Sequence, residues 1–224
     1  MRKLNLLFMG ILFISASVNA QQMFEKYSGQ DIGNPKLKGG FQFDKKLQKF
    51  TVAGAGYNLW FERDEFYFVS QPVEGDFIIS ASLKLIGDGV DPHRKMGLMI
   101  RNSNAENAVY MDGAIHGDGL TSLQYREKTG AATLEKAADK REMQDFVQLE
   151  RKGNLYIFRV SKNGRPLVEV GKVELEMGKS VLAGMFVGSH NVDVLEKAEF
   201  WNIRLDIPAV GGVDGYQTPS PSRL

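Results

Sequence analysis

The stretch FIISASLKLI, residues 77–86, constrains this chain more than any other. Phe77, Ile79, Ala81, Leu83 and Leu85 alternate with Ile78, Ser80, Ser82, Lys84 and Ile86, the period of two that sends successive side chains to opposite faces of a strand. It belongs to a longer run, residues 75–102, that reads as strand, polar loop, strand. A Gly75-Asp76 turn delivers the first strand, and the second ends on an outward-pointing Arg101. The run indicates an all-β fold and carries no reaction signature.

Similar alternation predicts strands at 56–61, 65–70, 95–102, 109–116, 120–126, 146–151, 155–161, 167–170, 181–189 and 198–206. Turn signals separate them, including Gly117-Asp118-Gly119, Gly153-Asn154 and Asn163-Gly164. Only residues 131–143 are rich in helix formers, and their apolar positions make no continuous stripe. A surface excursion is expected there. The prediction is a two-sheet antiparallel sandwich with Leu83, Leu98, Ile100, Ile115, Leu149, Phe158, Phe186 and Ile203 buried between the sheets.

The ends read differently. Arg2 and Lys3, an apolar stretch over residues 4–14 and the small-residue site Val18-Asn19-Ala20 form an export signal, too short for a membrane span of about 20 residues. Residues 21–40 are expected to be an irregular lead-in, 41–207 the sandwich, and 208–224, with GGVDGY and TPSPSR, a linker or tail. A bacterial periplasmic or secreted protein is expected, with no membrane span after signal cleavage. The sequence has no Cys, so disulfides cannot hold it and the core must. With 28 Lys plus Arg against 27 Asp plus Glu, no global field favours nucleic acid.

The blocks AGYNLWFERDEFYFVSQPVEGDFIISASL, KMGLMIRNS, FVQLERKGNLYIFRVSKNG, AGMFVGSHN and AEFWNIRL occur in that order. In this order and spacing they resemble the concanavalin A-like, laminin-G-like jelly roll of bacterial exported proteins. The members they resemble are domains of unknown function found beside glycoside hydrolases and at the front of secreted TolB-like proteins. The resemblance spans roughly residues 41–205 and implies a jelly-roll sandwich whose concave sheet binds sugar. It specifies no activity.

Strand parity names the side chains that could line such a groove. With Leu98, Ile100, Met111, Ile115, Leu123, Val147 and Leu149 inward, Arg101, Asp112, His116, Gln124, Arg126 and Glu150 face outward, beside the small Gly97 and Ala114. These are the candidate ligand-binding residues, suited to a polyol or an anionic sugar. The bland reading pairs Arg101 with Asp112, or Arg126 with Glu150, as cross-strand ion pairs on a solvated face.

Catalytic signals are weak. Glu62-Arg63-Asp64-Glu65 begins like a glucanase acid motif but continues with Phe66 and Tyr67 where a further acid is needed, so a solvated turn is the better reading. Glu174 and Glu176 suit an exposed edge strand. No cofactor is implied. Calcium has only Asp88, Asp91 and the carbonyls of their loop to draw on, a spacing that matches no EF-hand. His93, His116 and His190 are far apart in sequence, which argues against zinc. Trp60 and Trp201 suit either sugar stacking or the core. The favoured function is an exported, non-catalytic sugar-recognition module with a glycan ligand. The alternatives are a glycoside-processing enzyme using Asp112, His116 and Glu150, and an interaction domain with an envelope protein as partner.

Overall fold

A computed structural model describes residues 24–207. The first strands are β1 (Ser28–Ile32), β2 (Gly40–Asp44), β3 (Lys49–Gly56), β4 (Phe66–Glu74), β5 (Phe77–Ile86), β6 (Lys95–Arg101) and β7 (Tyr110–His116). They are followed by β8 (Leu120–Arg126), β9 (Leu134–Lys140), β10 (Phe146–Lys152), β11 (Leu155–Ser161), β12 (Val168–Glu174), β13 (Ser180–Gly188) and β14 (Asn191–Asp206). All pairings are antiparallel. They form two seven-stranded sheets, sheet A in the order β1-β4-β13-β6-β7-β8-β9 and sheet B in the order β12-β11-β10-β5-β14-β3-β2. The expected export signal and the tail after residue 207 lie outside the described residues.

The main core sits between the sheets, where Leu83, Leu98, Ile100, Ile115, Leu149, Phe158 and Ile203 all lie as their parity requires. Phe186 is buried too, but on the other face of sheet A. There it packs with Ile32, Leu59, Phe66, Phe68, Met99, Tyr110 and Ala114 in a second apolar cluster. Sheet A is therefore covered on both faces over part of its area. A strap, residues 57–65 between β3 and β4, supplies that cover through Leu59, which is fully buried.

Three local readings change. Residues 24–40 are not irregular throughout, because β1 pairs with β4 from Ser28↔Ser70 to Ile32↔Phe66. The expected strand at 56–61 is instead the start of the strap, held by an isolated bridge between Leu59 and Asp64. The helix-rich segment contains β9, which pairs with β8 at the edge of sheet A. Backbone pairing overrides local propensity there, and its exposed charges are what an edge strand tolerates.

Candidate functional site

The outer face of sheet A carries five of the six candidate residues, and it divides them. Arg101, from β6, and Arg126, from β8, lie under the strap with no solvent exposure. Asp64 meets them from above, also fully buried. Its Oδ1 and Oδ2 accept from Arg126 Nη2 and Nη1 at 2.7 Å each, and Oδ2 accepts from Arg101 Nη2 at 3.5 Å. Arg126 also donates to the carbonyls of Phe61, Ala108 and Ala131, at 2.7, 3.1 and 2.6 Å. The Arg101 Nε donates to Ser103 O at 2.7 Å. The guanidinium of Arg126 stacks on Tyr110 and that of Arg101 on Phe66, at 5.1 and 5.2 Å. Their planar donors are committed within the protein, leaving no bidentate fork for a ligand.

Both sequence readings of these arginines therefore change. They do not line an open groove, and they do not pair with Asp112 or Glu150. The Glu62–Glu65 turn is solvated only at Glu62 and Arg63; Glu65 is buried, and so is Asp64, the counter-ion. Glu150 belongs to sheet B, where it accepts from Arg159 Nη1 at 2.7 Å, both side chains about a quarter exposed. It shares no groove with the other five.

Beyond the strap the same face opens into a pocket of about 350 Å³. Lys95, His116 and Gln124 form its sheet side, Glu135 comes from β9, and Leu120 opens β8. Asn58 and Trp60 of the strap, His93 of the β5–β6 loop and His190 of the β13–β14 turn complete the wall. Two of its lining side chains, His116 and Gln124, were legible from parity. The pocket size suits a small-molecule ligand.

The electrostatics beside the pocket are unusual. Asp112 is fully buried, and among the described residues neither carboxylate oxygen makes a full hydrogen bond, the backbone N–H of Gln124 being near enough only to draw its pKa down in part. Gln124 Oε1 and Ser122 Oγ, on the neighbouring strand, are likewise buried and unpartnered. Each orphan costs about 1–3 kcal/mol unless water or a ligand satisfies it. Burial pushes the Asp112 carboxyl well above the usual carboxylate range, against the pull of Lys95. Burial pushes the Lys95 amine down, and Asp112 is the acid that most opposes this. The Lys95 Nζ donates to Asn58 Oδ1 at 3.3 Å.

All three histidines of the sequence meet here. His93 lies 6.0 Å from His116 and 5.4 Å from His190 between ring centroids. Their separation along the chain concealed this, since the fold closes the loops that carry them. Among the described residues, however, no group of three or more His, Cys, Asp or Glu is disposed to hold a metal ion. His116 Nδ1 donates to Leu120 O at 2.9 Å, which makes Nε2 the free acceptor. Burial pushes its pKa down to about 3. His190 holds a left-handed backbone, φ 57°, that non-glycine residues rarely adopt.

A second pocket of about 400 Å³ lies on sheet B beside Trp201, Phe146 and Leu167. Its acid, Asp145, already accepts from the backbone of Asn163 at 3.1 Å. At the sheet A pocket, by contrast, Gln124 Oε1 and His190 Nδ1 are buried lining atoms without partners among the described residues.

No protein-family model matches this sequence, and no curated protein matches it. Solved structures do match in fold. A functionally unknown protein from Saccharomyces cerevisiae superposes with a TM-score of 0.65 at 14% identity, covering 84% of this chain and 99% of that one. A carbohydrate-binding module, CBM66, from Bacillus subtilis gives 0.50 at 13% identity over 80% and 95% of the two chains. Lectin II from Ulex europaeus gives 0.52 at 8% identity over 81% and 92%. At these identities the likeness is one of fold: the chain is a concanavalin A-like jelly-roll sandwich. Among the described residues no helix is long and apolar enough to cross a membrane.

Two predictions follow from this geometry. Asp64→Ala strands two buried guanidiniums and should cost about 3–5 kcal/mol in denaturant unfolding, whereas Glu150→Ala should cost no more than about 1 kcal/mol. Equal, small losses would contradict the buried clamp. For His116, the folded pKa of about 3 lies below the unfolded value of about 6.5. The unfolded chain therefore takes up the proton first. The stability contributed by the neutral imidazole is whole above about pH 6.5 and is lost as pH falls towards about 3, by up to about 1.4 kcal/mol per unit. Unfolding free energies measured across that window should fall less steeply for His116→Gln than for the parent. Parallel slopes would show that His116 is not buried neutral.

Proposed function

We propose that this protein is an exported, non-catalytic sugar-recognition module that takes a neutral saccharide in the sheet A pocket. The observation that carries the reading is the buried, unpartnered acceptor Gln124 Oε1 in the pocket wall, with the unpartnered Asp112 opposite it on the neighbouring strand, beside a partly exposed Trp60. Saccharide hydroxyls are donors that such acceptors require, and the C–H face of a sugar ring packs on an indole. The fold is one shared with a structure described as a carbohydrate-binding module and with a lectin, which supports the class of ligand and not its identity. Export rests on residues 1–20, and the resemblance to domains beside glycoside hydrolases and ahead of TolB-like propellers is consistent with it.

The geometry favours a neutral ligand over an anionic one. Arg101 and Arg126, which made a uronate attractive, are consumed by Asp64 and backbone carbonyls. The acid trio Asp112, His116 and Glu150 also fails as glycosidase machinery, since Glu150 sits on the opposite sheet and general acid and base must flank one bond. A glycan panel read by thermal shift, with and without Ca²⁺, tests this directly, because a ligand bound only by the folded state raises the melting temperature. Trp60→Ala should melt with the parent yet bind the identified saccharide about tenfold more weakly, a loss of about 1.4 kcal/mol. Unchanged affinity in that variant, or no response to any neutral saccharide, would overturn the assignment.

A further inference from the structure

We propose that Lys95 is a nucleophilic amine that captures small aldehydes, including the open-chain form of a reducing sugar, as an imine. Its placement is the first observation. Lys95 is 3% exposed yet lines the sheet A pocket, and its recorded hydrogen bond is to the neutral Asn58 Oδ1. No carboxylate lies within ion-pair distance of it among the described residues. A lysine whose purpose was charge would be expected to have a counter-ion at contact, as the buried Arg94 has in Glu196 at 2.7 Å.

The second observation is what surrounds it. His116 stands directly opposite Lys95 in the β6–β7 register, which brings facing side chains within reach. With its Nδ1 proton engaged by Leu120 O, Nε2 is a free hydrogen-bond acceptor facing the amine's strand. Burial favours the uncharged form of Lys95 against the pull of Asp112, and the uncharged form is the one in which an amine is a nucleophile.

The reaction balances with the amine, the aldehyde and water. The Lys95 Nζ lone pair forms a bond to the carbonyl carbon while the C=O π pair moves to oxygen, which is protonated by water in the pocket. Nitrogen gives up one proton to water, leaving a neutral carbinolamine. The hydroxyl takes up a proton and leaves as water as the C=N bond forms, and the iminium nitrogen releases its remaining proton to solvent, so both amine hydrogens end in the water lost. Amine and aldehyde become imine and water, with no oxidant or reductant. This capture does not rest on the sugar-recognition reading, since it needs only the amine and access.

The test uses the unmodified protein. It is incubated at pH 7 with glyceraldehyde and cyanoborohydride, which reduces the imine to a stable secondary amine, and the adducts are mapped by peptide mass spectrometry. An ordinary lysine, with a pKa of about 10.4, is almost wholly protonated at that pH. Lys95 should therefore be labelled at least about tenfold faster than Lys38, whose side chain is 68% exposed, with labelling levelling off at a lower pH than that of Lys38. Labelling of Lys38 and other surface lysines at equal or greater rates than Lys95 would overturn the proposal. Because a triose probe makes no demand on saccharide affinity, a negative result here leaves the glycan panel to stand or fall by itself.

Discussion

The architecture of this face depends on one carboxylate held between two guanidiniums. Asp64 reaches down from the strap to Arg126 and Arg101 on sheet A, and all three side chains are sealed from solvent. Removing three charges from water is expensive, and their mutual attraction offsets that cost only because the remaining donors are also satisfied. Here they are, by the carbonyls of Phe61, Ser103, Ala108 and Ala131. Those carbonyls come from the strap and from the loops following β6 and β8. The clamp thus sets the register of three irregular segments at once, more than an apolar contact such as Leu59 could do alone.

Fixing the strap at Asp64 has a consequence a few residues earlier. Asn58 and Trp60 are carried to the rim of the neighbouring pocket, and Thr133 N–H donates to Trp60 O at 3.0 Å to hold the strap against the β8–β9 loop. One half of the outer face is therefore closed, saturated and structural. The other half opens into the pocket, where Gln124 Oε1 has no partner among the described residues. Polar groups of the same sheet face serve opposite purposes according to whether the strap covers them.

Much of this was legible in the sequence, and the limit has a physical cause. Period-two alternation assigns each side chain to a face, and it did so correctly for Leu98, Met111 and Leu123 inward and for Arg101, Asp112 and Gln124 outward. Alternation does not say which sheet a strand joins, so Glu150 was grouped with residues of the opposite sheet. Nor does it say whether an outward face meets water, which hid the second apolar cluster around Phe186 and the burial of both arginines. Lys95 could have been found by extending the parity of Arg101, Met99 and Gly97 back one more step. Glu135, His93 and His190 could not, because β9 lacks strand propensity and the two histidines approach only through long-range closure of loops.

Native-state hydrogen exchange at the strap tests the central claim most directly. The Asp64 amide donates to Glu106 O at 2.8 Å and that of Glu65 to Asn58 O at 2.9 Å. If the clamp makes the strap part of the cooperative core, these amides should exchange only with an opening free energy close to that of the β6 and β7 amides. Exchange as fast as that of the exposed β5–β6 loop would mean that the strap opens independently, and that Asp64 does not organise this face of the sheet.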